Sequence, residues 1–108
     1  MVEELSPREV ARRLREEPER LVLLDVRDPF ERELALIEPS LHIPMPEVPA
    51  RLDEIPRGRT VVVYCHSGVR SAVVAGFLEQ RGLRPVANLG GGIDAWSLQV
   101  DPKVRRYG

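Results

Sequence analysis

The chain has 108 residues, 43% apolar and 31% charged, with sixteen basic and seventeen acidic side chains and a formal net charge of -1. That length suits one domain around one core, and the balanced charge excludes a surface built to hold nucleic acid or another polyanion. A single cysteine rules out an internal disulfide and a cysteine-rich zinc site, no apolar run reaches membrane-spanning length, and Met-Val-Glu-Glu-Leu is no secretory leader, so a cytoplasmic protein is expected.

Ser6-Pro7-Arg8-Glu9 carries the signals of a helix start: Ser6 as cap, Pro7 at the first helical position and Glu9 at capping-box spacing. A helix is predicted from about Pro7 to Glu16, with Leu5 and Val10 forming a hydrophobic staple, Val10 and Leu14 inward, and glutamates and arginines on a solvated face. Pro18 closes it. Leu21-Val22-Leu23-Leu24 reads as a strand buried on both faces, ending in the polar Asp25-Val26-Arg27. Asp28-Pro29 opens a helical turn through Leu34, after which Pro39, Pro44, Pro46 and Pro49 interrupt the chain. A short strand over Leu41-His42-Ile43 and a short helix from Glu47 to Ile55 are expected there.

Thr60-Val61-Val62-Val63-Tyr64, β-branched apart from its aromatic last residue, is the clearest strand and runs straight into Cys65. A helix follows from about Ser71, with Val73, Val74, Phe77 and Leu78 inward and Gly82 at its end. Pro85 to Leu89 supplies the next strand. Gly90-Gly91-Gly92 then makes a close-packed turn into an amphipathic segment carrying Ile93, Ala95, Trp96 and Leu98, and Asp101 to Gly108 is expected to be a surface tail beyond a core of about residues 5–98. Alternating strands and helices imply an α/β domain with a mostly parallel central sheet and helices on both faces.

In such sheets, ligands bind beyond the carboxyl ends of the strands, where Cys65-His66-Ser67-Gly68-Val69-Arg70 falls. A tight loop between a buried strand and a helix start can aim successive N–H groups into one concavity, and Gly68 supplies backbone conformations closed to other residues. Together with the helix dipole and Arg70, that concavity should hold an anion and depress the Cys65 pKa. The same cradle suits a persulfide: Cys65 would attack the outer sulfur of an anionic donor such as thiosulfate, expel sulfite and pass the sulfur to a second nucleophile. His66 stands next to the nucleophile, but adjacent side chains rarely face each other, so it is read as loop wall. His42 is read as structural and Trp96 as core. Asp25 and Arg27 read as a buried ion pair at a strand end.

The chain resembles the rhodanese domain family. Cys65, Gly68, Arg70 and Ser71 match its C-x-x-G-x-R loop followed by Ser or Ala; Asp25-Val26-Arg27 with Glu31 is similar to its D-V-R-x-x-x-E element; Ile43-Pro44 matches its I-P, and Gly91-Gly92 through Trp96 its G-G-x-x-x-W. The resemblance implies Cys65 and Arg70 as catalytic residues, and His66, Ser67, Gly68, Val69 and Arg70 as the loop that binds the sulfur and its donor. Asp25, Arg27 and Ser71 would support it. It also implies a thiol or protein sulfur acceptor and neither metal nor organic cofactor. The family's G-H-I-x-G-A before I-P is replaced here by Ala35-Leu36-Ile37-Glu38-Pro39-Ser40, so the local turn and the rim of the site should differ. The mercaptopyruvate branch reads C-G-S-G-V-T, which His66 and Arg70 do not match. A thiosulfate-like or protein persulfide donor is therefore expected.

Two other readings use the same residues. A relay module would accept a persulfide from one protein and hand it to another without turning over free thiosulfate. A cysteine phosphatase or arsenate reductase would need five residues between Cys and Arg; the four here, His66 to Val69, leave room for a sulfur atom but cramp a tetrahedral phosphoryl group.

Overall fold

The computed structural model describes residues 1–108. In chain order the elements are β1 (Glu3–Leu5), α1 (Pro7–Glu16), β2 (Leu21–Asp25), α2 (Pro29–Leu34), β3 (Leu41–His42), a 3₁₀ segment (Met45–Glu54), β4 (Thr60–Tyr64), α3 (Val69–Gln80), β5 (Val86–Leu89) and α4 (Gly92–Gln99). The five strands form one parallel sheet in the order β1-β5-β4-β2-β3. Parallel neighbours need crossovers, and here the crossovers cover both faces of the sheet. Val74, Ala75 and Leu78 of α3 pack on one face with Val61 and Val63, while Val10 of α1 and Ile93 and Trp96 of α4 pack on the other with Val62 and Tyr64. The α/β architecture expected from the sequence is the one observed. No helix is long and apolar enough to cross a membrane.

Central strand β4 has the period-two alternation of a strand buried on both sides. Cys65 continues its phase one residue past the last ladder position, packing with Val61, Val63 and the α3 face. Tyr64 points the other way and directs its hydroxyl at the Ile37 N–H (3.2 Å) and the Ser40 Oγ (3.1 Å).

Several local readings need correction. The sequence gives no strand signal at Glu3–Leu5; three residues are too few for a pattern, and β1 forms because the free edge of β5 offers it a ladder from Glu3 opposite Ala87 to Leu5 opposite Leu89. Ser6 Oγ caps α1 by accepting from the Glu9 N–H (3.1 Å), but no capping box closes, because the Glu9 carboxylate turns to Arg12 and Arg13. The segment expected as a helix from Glu47 starts at Met45 and is 3₁₀, with its break at Arg51; Pro49 inside it cannot donate a helical hydrogen bond. Helix α3 begins at Val69 rather than Ser71, and its inner stripe is Ser71, Val74, Ala75 and Leu78. Val73 falls off that stripe and is 59% exposed; Leu98, five residues past Ile93 on α4, is 63% exposed.

The largest departure is the segment after α4. Expected as a surface tail, residues 101–108 fold back, with Val104 and Tyr107 against the core of the β1, α1 and α4 side. Ser97 Oγ donates to the Val104 carbonyl (2.8 Å), Arg106 pairs with Asp94 (2.8 Å), and the Tyr107 hydroxyl enters a buried polar cluster at the carboxyl end of β2.

Arg27 organises that cluster and is wholly buried. Its five N–H groups are all used: Nε on Asp25 Oδ1 (2.8 Å), Nη2 on Asp25 Oδ2 (2.7 Å) and the Ala35 carbonyl (2.7 Å), and Nη1 on the Tyr107 hydroxyl (2.9 Å) and the Glu31 carbonyl (3.3 Å). The buried ion pair read from the sequence is therefore present, and Arg32 adds a second contact to Asp25 at 3.1 Å. Burial alone would raise the Asp25 pKa, but the hydrogen bonds and charge of Arg27 outweigh it and hold the carboxyl below its usual range. Asp25→Ala would leave the Arg27 charge without its partner in the interior, and urea unfolding should then register a loss of about 3–5 kcal/mol; a loss below about 1 kcal/mol would mean that Arg27 reaches solvent without disturbing the fold.

Candidate active site

Cys65, only 1% exposed, sits between the end of β4 and the start of α3. Its Sγ accepts from the Gly68 N–H (3.2 Å) and the Ser71 N–H (3.4 Å), and lies 3.3 Å from the Ser71 Oγ. Burial pushes the thiol pKa up, but the Ser71 hydroxyl, the Ser71 and Gly68 amides and the Ser67 amide more than offset it, so the pKa falls below the ordinary 9.0. The thiolate expected from the loop sequence thus has a definite set of donors. Ser71 supplies two of them, a larger share than a supporting residue would suggest. Val69 is 71% exposed on the outside of the turn.

Three carbonyls of the loop are held from outside it, and the one at His66 orients the Ser67 amide towards the sulfur. In a trans peptide the C=O and N–H point in opposite directions, so fixing the carbonyl fixes the next amide. Ile93 N–H, in the first turn of α4, donates to the Cys65 carbonyl (2.9 Å) and Asp94 N–H to the His66 carbonyl (3.1 Å); Asn88 Nδ2 donates to the Gly68 carbonyl (3.1 Å) and to Glu4 (2.9 Å). Such close approach requires the glycine turn. Gly92 has φ +62°, and a Cβ there would fall on the Cys65 and His66 carbonyl oxygens; at Gly68, with φ +101°, a Cβ would come within 3.3 Å of the Gly91 nitrogen. The close-packed turn expected at Gly90 to Gly92 is therefore what presses α4 onto the nucleophile loop.

Arg70 does not close on the sulfur as the sequence suggested. Its Nη1 and Nη2 donate to the two Glu31 oxygens at 2.8 and 2.9 Å, a bidentate pair that holds the guanidinium beside the loop. Nε and one hydrogen on each terminal nitrogen stay available to an anion. The Arg70 hydrogen bonds pull the Glu31 pKa down to about 2, helped by the Tyr107 hydroxyl, and the Cys65 charge adds to what keeps Arg70 protonated.

His66 packs against the segment after α4. Its ring stacks on Tyr107 with centroids 4.5 Å apart, and its Nε2 is buried without a hydrogen-bond partner, so it has no proton contact with Cys65. His42 is structural: its Nε2 bonds the Arg27 carbonyl at 2.8 Å. Asp25 and Arg27 make no hydrogen bond to residues 65–70 and reach Arg70 only through Tyr107 and Glu31. Glu31, Asn88 and Tyr107 are additions to the predicted set. Glu31 had a signal in its motif spacing, Asn88 only in being the sole asparagine on a buried strand, and Tyr107 none. The roomier surface depressions lie elsewhere: about 470 Å³ beside Leu14, Val22 and Leu41, and about 360 Å³ between Leu36, Trp96 and Arg105. Neither is lined by Cys65 or by any other residue of its loop.

Residues 6–99 match the family model described as rhodanese-like domain. Among characterised sequences, the chain is 41% identical to a sulfurtransferase of Allochromatium vinosum over the full length of both, and 34% identical to the putative sulfurtransferase YtwF of Bacillus subtilis, covering 82% of this chain and 84% of that one. The probable adenylyltransferase/sulfurtransferase MoeZ of Mycobacterium tuberculosis matches at 35% identity over 95% of this chain but only 26% of its own length. A rhodanese-related protein from Thermoplasma volcanium superimposes with a TM-score of 0.81 at 30% identity, covering 97% of this chain and 99% of that one.

The donor set makes a pH prediction. Because folding lowers the Cys65 pKa, the thiolate contributes stability above the unfolded value, and that contribution is lost as pH falls through the folded one. Ser71→Ala removes the strongest donor, so the midpoint of the pH profile for Cys65 alkylation by iodoacetamide should move to higher pH and the rate at pH 7 should drop. An unmoved midpoint would mean that the amides alone ionise the thiol.

Proposed function

Since the chain belongs to the rhodanese-like domain family, we propose that it is a sulfurtransferase that carries sulfane sulfur as a Cys65 persulfide between an anionic donor of the thiosulfate type and a thiol or protein acceptor. The observation that carries this reading is the Sγ of Cys65 held by the Gly68 amide and by the amide and hydroxyl of Ser71 in a nearly dry cradle. Such a cradle stabilises a sulfur anion whether the charge sits on Sγ or on a second sulfur bonded to it.

In the first half-reaction the Cys65 thiolate attacks the outer sulfur of the donor. A new S–S bond forms, the donor's own S–S bond breaks, and sulfite leaves with the electron pair. Cys65 is left as a persulfide anion. The free N–H groups of Arg70 supply positive charge for the donor and departing sulfite, while Glu31 fixes the plane of the guanidinium. In the second half-reaction an acceptor thiolate, or cyanide in an assay, attacks the terminal sulfur; the Cys65–sulfur bond breaks and the thiolate is regenerated. Two half-reactions on one nucleophile give ping-pong kinetics. The hydroxyl and amides that lower the Cys65 pKa take the place of a general base in this reading, and no hydrogen bond joins His66 to Cys65. A free Cys65 suits a reducing compartment such as the cytoplasm.

A relay between proteins is the second reading, favoured by the near-complete burial of Sγ and the absence of a deep cavity above it. A protein terminus could reach such a cradle where a small donor is poorly held. Phosphoryl transfer is disfavoured by the four-residue spacing between Cys65 and Arg70.

Incubation with thiosulfate should add one sulfur atom to the intact mass; cyanide should remove it, and Cys65→Ser should never acquire it. Failure to load from thiosulfate, with loading from a persulfidated protein, would replace the enzyme by the relay. Failure with both would overturn sulfur transfer.

A further inference from the structure

The segment after α4 places Tyr107 where the sulfur chemistry alone gives it no role. Its ring covers His66, and its hydroxyl lies between two charged groups, donating to Glu31 Oε2 at 2.7 Å and accepting from Arg27 Nη1 at 2.9 Å. Glu31 in turn holds both terminal nitrogens of Arg70. A continuous chain of hydrogen bonds thus runs from Asp25, through Arg27, Tyr107 and Glu31, to Arg70 at the mouth of the cradle. Every junction is charge-assisted, and the Tyr107 hydroxyl is its single neutral link.

We propose that Tyr107 is a positioning residue for donor binding, fixing the Glu31 carboxylate so that Arg70 presents its free N–H groups to an anion at Cys65. This rests on the reading of Arg70 as the donor's anion contact.

The physical need is specific. Glu31 is 5% exposed, and beside Arg70 its Oε1 accepts only the Asp28 N–H (3.1 Å), which leaves Oε2 free to swing and carry the guanidinium with it. A second donor on Oε2 stops that motion. Tyr107 can supply it because Arg27 occupies the hydroxyl's lone pair and leaves its hydrogen for Glu31. The bond to the Tyr107 proton also draws charge from the carboxylate, so Glu31 neutralises less of Arg70. The Tyr107 pKa is raised to about 12, so the hydroxyl keeps its proton across the working range. Without Tyr107 the second lone pair of Glu31 would bind Arg70 more tightly or turn towards Arg27, and either change moves the anion contact.

The conservative test is Tyr107→Phe, which keeps the ring over His66 and deletes only the hydroxyl. Two measurements separate positioning from packing. In thiosulfate turnover, KM should rise about five- to tenfold, the effect of losing one charge-assisted bond, with kcat within about twofold. In alkylation of Cys65, the ratio of the iodoacetate rate to the iodoacetamide rate should fall by a similar factor, because only the anionic reagent needs Arg70. Glu31→Gln should lower the same ratio, and Tyr107→Phe added to it should lower it no further.

The alkylation ratio does not require sulfur transfer. Absent turnover in the native protein would defeat the function proposed above, while a fallen ratio in Tyr107→Phe would still uphold the role of Tyr107. The proposal is overturned if the variant lowers only the melting temperature and leaves ratio and KM at native values. It is equally overturned if both alkylation rates rise together, which would make residues 101–108 a cover over the site rather than a support for Arg70.

Discussion

A wholly buried guanidinium with all five N–H groups occupied is the constraint around which one end of this molecule is built. Each partner of Arg27 lies on a different stretch of chain: Asp25 at the end of β2, the Glu31 carbonyl in α2, the Ala35 carbonyl in the irregular run that follows, and Tyr107 beyond α4. A buried charge short of even one partner is costly, so these stretches must arrive together. That requirement gives the region from Ala35 to Ser40 a single path without helix or strand. Ala35 is held by Arg27, Ile37 by the Tyr64 hydroxyl, and Ser40 by Tyr64 and Arg32, while Ile37 is buried in the core. The turn is thus held by the side chains of Arg27, Arg32 and Tyr64.

The nucleophile depends on a second constraint, set in the backbone. Carbonyls around Cys65 are claimed by the first turn of α4 and by Asn88, which fixes the path of the loop that carries the Gly68 and Ser71 amides to the sulfur. The thiolate is stabilised by peptide geometry and one hydroxyl, with no neighbouring base. Such a site tolerates burial that an isolated thiolate would not, since the donors are already oriented before charge develops. It also explains why the glycine turn belongs to the active centre although none of its side chains touches sulfur. Any Cβ at Gly92 would push α4 off the loop carbonyls.

Sγ and the Arg70 guanidinium are thus held by different parts of the fold. Sγ sits on the Gly68 and Ser71 amides, and the guanidinium is held by Glu31 from α2. The two parts meet only at Arg70, at the start of α3.

The sheet, both flanking layers and the nucleophile loop were legible in the sequence because each rests on local, repeated signals: apolar runs of strand length, the Ser6-Pro7 helix start, and a cysteine placed between a β-branched strand and a helix. β1 was not, since three residues acquire strand geometry only when the β5 edge is present. Nor were the exposure of Val73 and Leu98, which depends on where each helix starts and which side faces the sheet. Arg70 could be placed at the loop by its spacing, but its commitment to Glu31 required two elements 39 residues apart to pack together. Tyr107 lay furthest from reach. A lone tyrosine in a short polar stretch carries no period, cap or motif, and its place between Arg27 and Glu31 follows from an unmet hydrogen-bonding demand in the buried cluster. By itself, then, the sequence determined the layered architecture and the place of the lone cysteine between a strand and a helix, because those follow from patterns between near neighbours. Tertiary structure alone decided how the charges behind that nucleophile are paired, because satisfying a buried charge is a condition on the whole fold.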